Sequence, residues 1–286
     1  MMNRMVMRVN MQPPNHETVA FEMHEVNQSS CFALLTISRP EKLNALNQDV
    51  MTALVEYCSF IEQEDSIRCV VITGAAPPVP EEGKRPKPHA FVAGADITEF
   101  VDKTSNDRPI FAMNGWEALW NLSKPTIAMV DGFALGGGCE IACSCDIRIA
   151  SNRSKFGTPE INLGLIPGGG GTQRLSSLIG YAKTMEMVYT GEMIDAQEAK
   201  DIGLVNHVLE PDELQNFTFD LASKIASKSS HTLGVAKKVI RAALDVGLSD
   251  GICIEEDEFA LLFDTEDKNI GVRAFLERTQ PEWKHK

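Results

Sequence analysis

The sequence predicts an α/β fold followed by a helical C-terminal module. Three observations predict it. Strand-like runs alternate with helical patterns up to about residue 210, the arrangement of a mainly parallel sheet. One run, Cys69-Val70-Val71-Ile72-Thr73, is continuously apolar, as a strand covered on both faces must be. From Pro211 onward the pattern is helical throughout.

Taken in order, residues 1–18 read as an N-terminal extension, 19–210 as the α/β core and 211–286 as the helical module. Val19 to Val26 and Cys31 to Ser38 flank Asn27-Gln28-Ser29-Ser30 and read as strand, turn, strand. Arg39-Pro40 ends the second, because proline removes a ladder donor. Asn47 is placed to cap a helix running to about Glu64, with Met51, Leu54, Val55 and Cys58 on one face. Ala75 to His89 holds five prolines and one glycine, so it reads as an extended exposed loop. Lys84, Arg85 and Lys87 make it locally basic. A helix around Ile110 to Leu122 precedes a strand at Thr126 to Val130; Ile147 to Ala150 and Val205 to Leu209 continue the strand series. Helices follow at about Pro211 to Ser227, Thr232 to Ala243, Ile252 to Leu262 and Asn269 to Arg278.

The 286 residues carry 27 basic and 40 acidic side chains, a net −13. Such a surface repels phosphate backbones and anionic headgroups, which argues against a nucleic-acid or membrane-surface role. Seven cysteines at irregular spacing form no disulfide framework, and Cys139, Cys143 and Cys145 lack the paired spacing of a zinc site. No metal is expected. Buried reduced thiols point to a cytoplasmic protein. No apolar stretch approaches the ~20 residues of a bilayer span. Arg4 and Arg8 lie in an acid-free N-terminus that lacks a signal-peptide core.

Two glycine clusters, Gly136-Gly137-Gly138 and Gly168 to Gly171, fit neither nucleotide motif. Ile141 and Gln173 stand where G-x-G-x-x-G needs its third glycine, and no Lys-Ser or Lys-Thr follows. The first cluster instead joins the strand Thr126 to Val130 to the helical run Cys139-Glu140-Ile141-Ala142-Cys143. Free N–H groups at a helix start suit a developing oxyanion, and glycine there lets a ligand approach. Phe91-Val92-Ala93-Gly94-Ala95-Asp96 is a second such turn, with Asp96 placed to cap and Glu99 three residues on. Two turns of this kind can each supply one N–H to a single carbonyl oxygen. Phe156-Gly157-Thr158-Pro159-Glu160 sets another acid beside a proline-fixed turn. Glu140 and Glu160 together suggest acid–base work on a polarised carbonyl compound.

The runs KPTIAMVDGFALGGGCEIACSCDIRIA, FGTPEINLGLIPGGGGTQRL and FVAGADITEF resemble the crotonase (enoyl-CoA hydratase/isomerase) superfamily. RPEKLNAL, TGEMIDAQEAKDIGLVN and TEDKNIGVRAFLER extend the likeness to nearly the whole chain. The resemblance implies a spiral of ββα turns with a C-terminal helical trimerisation module, assembled as a homotrimer or a homohexamer. It implies an acyl-CoA substrate, with no cofactor beyond the CoA of the thioester. By position, the backbone N–H groups of Ala95 and Gly137 would form the oxyanion hole, and Glu140 and Glu160 would be the catalytic acids. Retention of both acids favours hydration over the Δ3,Δ2-isomerase branch, whose members commonly keep only the acid matching Glu160. SKPTIAMVDGFALGGG and CDIRIA look especially similar to crotonyl-CoA hydratases and 3-hydroxypropionyl-CoA dehydratases of carbon-fixation cycles. Substrate contacts implied in the same way are Lys42, Ala93, Asp96, Ile97, Thr98, Gly136, Pro167, Gly168, Phe275 and Arg278, the last two reaching a neighbouring subunit's CoA. Glu41 and Thr98 stand where the family often has basic residues, so phosphate contacts must come from elsewhere. Lys42, Arg278 and the loop cations are the candidates.

Two further readings are set aside on the residues. Gly247-Leu248-Ser249-Asp250-Gly251 satisfies G-x-S-x-G, but that motif needs a strand before the serine, and this one joins two helical patterns. An RNA-binding role, known for some crotonase relatives, is opposed by the net charge of −13 and the lack of a basic stripe.

Overall fold

A computed structural model describes residues 12–80, 82–83, 85–107 and 113–286. Arg4, Arg8, Lys84 and the first residues of the helix expected near Ile110 lie outside the described residues. The chain opens with β1 (Val19–Asn27) and β2 (Ser30–Ile37), an antiparallel hairpin. Then come α1 (Gln48–Gln63), β3 (Ile67–Gly74), β4 (Ala90–Ala93), α2 (Gly115–Asn121), β5 (Thr126–Val130) and β6 (Phe133–Leu135). The series continues through α3 (Gly137–Ser144), β7 (Ile147–Ser151), β8 (Lys155–Gly157), α4 (Gly171–Ile179) and α5 (Tyr181–Thr190). β9 (Ile194–Asp195), α6 (Ala196–Asp201) and β10 (His207–Leu209) end the strand-bearing part. Four helices follow: α7 (Pro211–Ala226), α8 (Ser230–Ala242), α9 (Leu248–Leu262) and α10 (Glu266–Glu277).

These strands form a six-stranded sheet, β1-β2-β3-β5-β7-β10, and a four-stranded sheet, β4-β6-β8-β9. From β3 to β8 the chain alternates between the two sheets. Each pass adds one strand to each sheet and returns through a helix, which is the expected ββα spiral. The apolar run at residues 69–73 has its physical reason here. Val70 and Ile72 face Met51, Leu54 and Ile61 of α1, whereas Cys69 and Val71 face Leu214, Ala222 and Ala226 of α7. Burying both faces adds roughly 1.5–3 kcal/mol for each large side chain removed from water.

Two sequence expectations are revised, and the rejection of the hydrolase motif is upheld. The turn after Gly94 leads into a single 3-10 turn, Ile97–Phe100, rather than an α-helix. Asp96 does cap it, but Glu99 turns away and accepts from the Gln48 N–H at the start of α1. The strand placed at Val205 begins at His207, because Val205 is buried in the preceding loop. Gly247 caps α9, so Ser249 follows a helix and not a strand, as the hydrolase motif would require. His285, the only histidine beyond that motif, accepts through Nδ1 from the Ser230 N–H.

Candidate active site

The site grows from the short sheet. Ala93, Leu135 and Gly157 stand side by side in one register across β4, β6 and β8. All three strands are parallel there, so all three C-terminal ends point the same way, the edge at which α/β sheets present their ligand sites. Two residues beyond that shared rung come Ala95 and Gly137; three beyond it comes Glu160. One rung of a sheet thus aligns the three segments singled out in the sequence.

At the first segment, Leu46 N–H donates to Gly94 O (2.9 Å) and Asp96 N–H to Leu46 O (2.6 Å). The flanking groups are spent on this bridge, and the Ala95 N–H between them finds no acceptor among the described residues. At the second, Gly136 adopts φ 51° and ψ −124°, a conformation open to glycine and costly for other residues. Gly137 then opens α3, where its N–H is one of the first-turn donors without an intrahelical partner. A Cβ on Gly137 would lie 3.8 Å from the Ala95 nitrogen, so the two donors sit close together.

The glutamates differ in their surroundings. Glu140, on the first turn of α3, is 2% exposed. Its Oε1 accepts from Gly169 N–H (2.7 Å) and Gly171 N–H (2.8 Å). Burial pushes its pKa up; the two N–H groups and the Arg174 guanidinium oppose the rise. A Cβ on Gly169 would lie 2.5 Å from the Trp116 indole and 2.8 Å from Glu140 Oε2. This is the close approach that the second glycine cluster permits. Glu160 lies in the 3-10 turn Pro159–Leu163. Its Oε2 is buried and has no hydrogen-bond partner among the described residues. Burial, reinforced by the Glu140 charge, pushes the Glu160 pKa up to about 7.

The expected substrate contacts divide into two groups. Ala93, Gly136 and buried Pro167 adjoin the site, and Gly168 is exposed directly before the Gly169 N–H. Ile97 and Thr98 are exposed on the 3-10 turn after Ala95. Asp96 turns its carboxylate into the protein: hydrogen bonds from Thr98 and Arg39 hold its pKa down at about 2. Lys42 is exposed, and Lys87 Nζ donates to Glu41 O at 2.8 Å, which brings the proline-rich loop beside it. Phe275 is 84% exposed, and Arg278 ends α10 in the left-handed region. No described contact joins either residue to the glutamates.

Trp116 and Arg174 were missed. Trp116 Nε1 donates to Gly137 O (2.9 Å), and Arg174 Nη1 donates to Gly169 O (2.7 Å). A tryptophan in an amphipathic pattern reads as core, and nothing in the sequence pairs it with a glycine 21 residues away.

The fold, the register-matched turns and the paired acids define an α/β enzyme whose candidate site gathers at one end of a short parallel sheet. The comparisons give the family. The model for enoyl-CoA hydratase/isomerase matches residues 27–286, and the chain belongs to that family. It is 41% identical over 253 residues to the short-chain-enoyl-CoA hydratase of Clostridium acetobutylicum, covering 87% of this chain and 93% of the relative. It is 36% identical to the crotonyl-CoA hydratase of Syntrophomonas wolfei, covering 91% and 97%. The enoyl-CoA hydratase structure from Bacillus anthracis superposes with a TM-score of 0.84 at 32% identity, covering 94% of this chain and all of that one.

Proposed function

We propose that this chain is an enoyl-CoA hydratase that adds water, reversibly and syn, to short-chain 2-enoyl-CoA thioesters. The observation that carries the reading is the contrast between a buried and a half-buried carboxylate beside two N–H groups that find no acceptor among the described residues. One carboxylate is held by two backbone donors and the other has an oxygen left unpaired. The thioester carbonyl accepts from Ala95 and Gly137, which stabilise the enolate-like charge that develops there. A water between the acids attacks C3. Glu140, ionised, takes a proton from that water, and Glu160, protonated, gives one to C2. In reverse, Glu160 takes the C2 proton and Glu140 protonates the departing hydroxyl of a 3-hydroxyacyl-CoA. Dehydration of 3-hydroxypropionyl-CoA falls within this chemistry.

The short-chain preference is supported by the relatives at 41% and 36% identity, one named for short-chain enoyl-CoA and the other for crotonyl-CoA. Residues 211–286 are read as the trimerisation module of a homotrimer or homohexamer, because Phe259, Phe263, Phe275 and Leu276 on α9 and α10 and at their ends are exposed. The described residues include no helix long and apolar enough to cross a membrane. The test is direct: crotonyl-CoA should lose its conjugated enoyl-thioester absorbance on adding enzyme, and 3-hydroxybutyryl-CoA should appear. Migration of a 3-enoyl double bond without hydration would instead place the chain in the isomerase branch.

A further inference from the structure

Glu140 must stay ionised although it is almost wholly buried. The groups facing it are Arg174 from α4, Glu160 from the 3-10 turn, and the Cys139 and Cys143 thiols of its own helix. Two of its hydrogen bonds come from the Gly169–Gly171 turn, so that turn's placement decides how firmly the carboxylate is held. Arg174 spans this turn. One end of its guanidinium donates to Gly169 O (2.7 Å), and the other donates to Glu117 Oε2 (3.0 Å). Its face lies 4.7 Å from the centroid of the Trp120 ring. Arg241 of α8 packs on the same ring at 3.8 Å and bonds Asp146 (2.7 Å). The Arg174 fork therefore cannot swing freely, and the Gly169–Gly170 peptide whose carbonyl it grips lies between the two peptides whose N–H groups, at Gly169 and Gly171, reach Glu140.

We infer that Arg174 is a positioning residue for Glu140: it fixes the Gly169–Gly170 peptide that joins the two donating N–H groups and sets a cation behind the carboxylate. Trp120 and Arg241 hold Arg174 in place, which ties the C-terminal helices to the acid. The inference rests on Glu140 acting as the ionised acid of the hydration reaction.

The test compares Arg174→Gln, Arg174→Lys and Trp120→Leu with the full-length enzyme, using crotonyl-CoA. Arg174→Gln should lower kcat about thirtyfold with KM within about twofold. Loss of the cation disfavours the carboxylate, so the acid limb of kcat/KM should move up by roughly one pH unit. Arg174→Lys keeps the charge without the fork, and should restore the limb but only part of kcat. Trp120→Leu keeps charge and fork but loosens them, so kcat should fall about threefold with the limb unmoved. In a Glu140→Gln background, Arg174→Gln should cost nothing further.

An acid limb unchanged in a folded Arg174→Gln variant, or losses that multiply in the double variant, would overturn the inference. If Arg174→Gln fails to fold, an unchanged kcat in Trp120→Leu would overturn it too. Titration of the Glu140 carboxyl by carbon NMR in wild type and Arg174→Gln reads the same link without turnover: a rise of roughly one pH unit in the variant is expected, and an unchanged midpoint would overturn the inference. Absence of hydration by wild type would sink the functional reading and leave this measurement to decide the inference alone.

Discussion

The turn that closes on Glu140 and the turn that carries Glu160 both face the candidate site, yet they treat a carboxylate in opposite ways. The Gly169–Gly171 turn closes on Glu140 with two N–H donors. The Pro159–Leu163 turn leaves Glu160 Oε2 buried and unpartnered. Backbone donors stabilise an anion without adding a charge that could be lost, whereas burial without donors favours the neutral acid. In the proposed mechanism these surroundings set equal side chains to opposite proton duties, one receiving while the other gives.

The largest test of that contrast is chemical. Glu140→Gln and Glu160→Gln should each lower kcat for crotonyl-CoA hydration by about a hundredfold or more, with little change in KM. Near-normal turnover in either variant would break the division of roles.

A second test reads stability, where the two sites should differ in sign. Glu140→Ala leaves two buried N–H groups unpaired at about 1–3 kcal/mol each, so Tm should fall by several degrees. Glu160 binds its proton more tightly folded than unfolded. The folded state is therefore favoured while the group is protonated, and loses that advantage as pH rises from the ordinary glutamate value through about 7. Glu160→Gln should raise Tm by roughly 2 °C at pH 8 and leave it unchanged at pH 4. A rise at both pH values, or at neither, would show that the unpaired oxygen is not the cause.

The smallest expected effect concerns the proline-rich loop. CoA carries several phosphate charges, and a protein of net charge −13 must meet them with local cations. Lys87 already lies against the Glu41 carbonyl, next to Lys42. Neutralising Arg85 and Lys87 together should raise KM for CoA thioesters about threefold at low salt and less at high salt. An unchanged KM would make the loop a solvated insertion.

Much of this was legible in the sequence, for physical reasons. The run at residues 69–73 announces a strand covered on both faces, and Gly136-Gly137-Gly138 announces a helix start that something must approach closely. The paired acids stood beside their turns in plain view. The short sheet did not, because β6 and β8 have three residues each and β9 has two, too few to show a period. The grip on Glu140 was also hidden. Gly169 lies 29 residues away and donates through its backbone, which carries no side-chain signal. Arg174 acts through a carbonyl, and its partners Trp120 and Arg241 come from separate helices.

The shared rung of Ala93, Leu135 and Gly157 has a consequence for where this chain can be re-engineered. The groups proposed to act on the substrate at Ala95, Gly137 and Glu160 are placed by counting forward from the rung, two or three residues in each case. Sequence added before a rung should leave that count intact, and the proline-rich segment between β3 and β4 already occupies such a position. A single residue inserted after Leu135 would instead displace Gly137 from its neighbour. Grafts and tags therefore belong upstream of the short strands, and the few positions downstream of them are closed to length change.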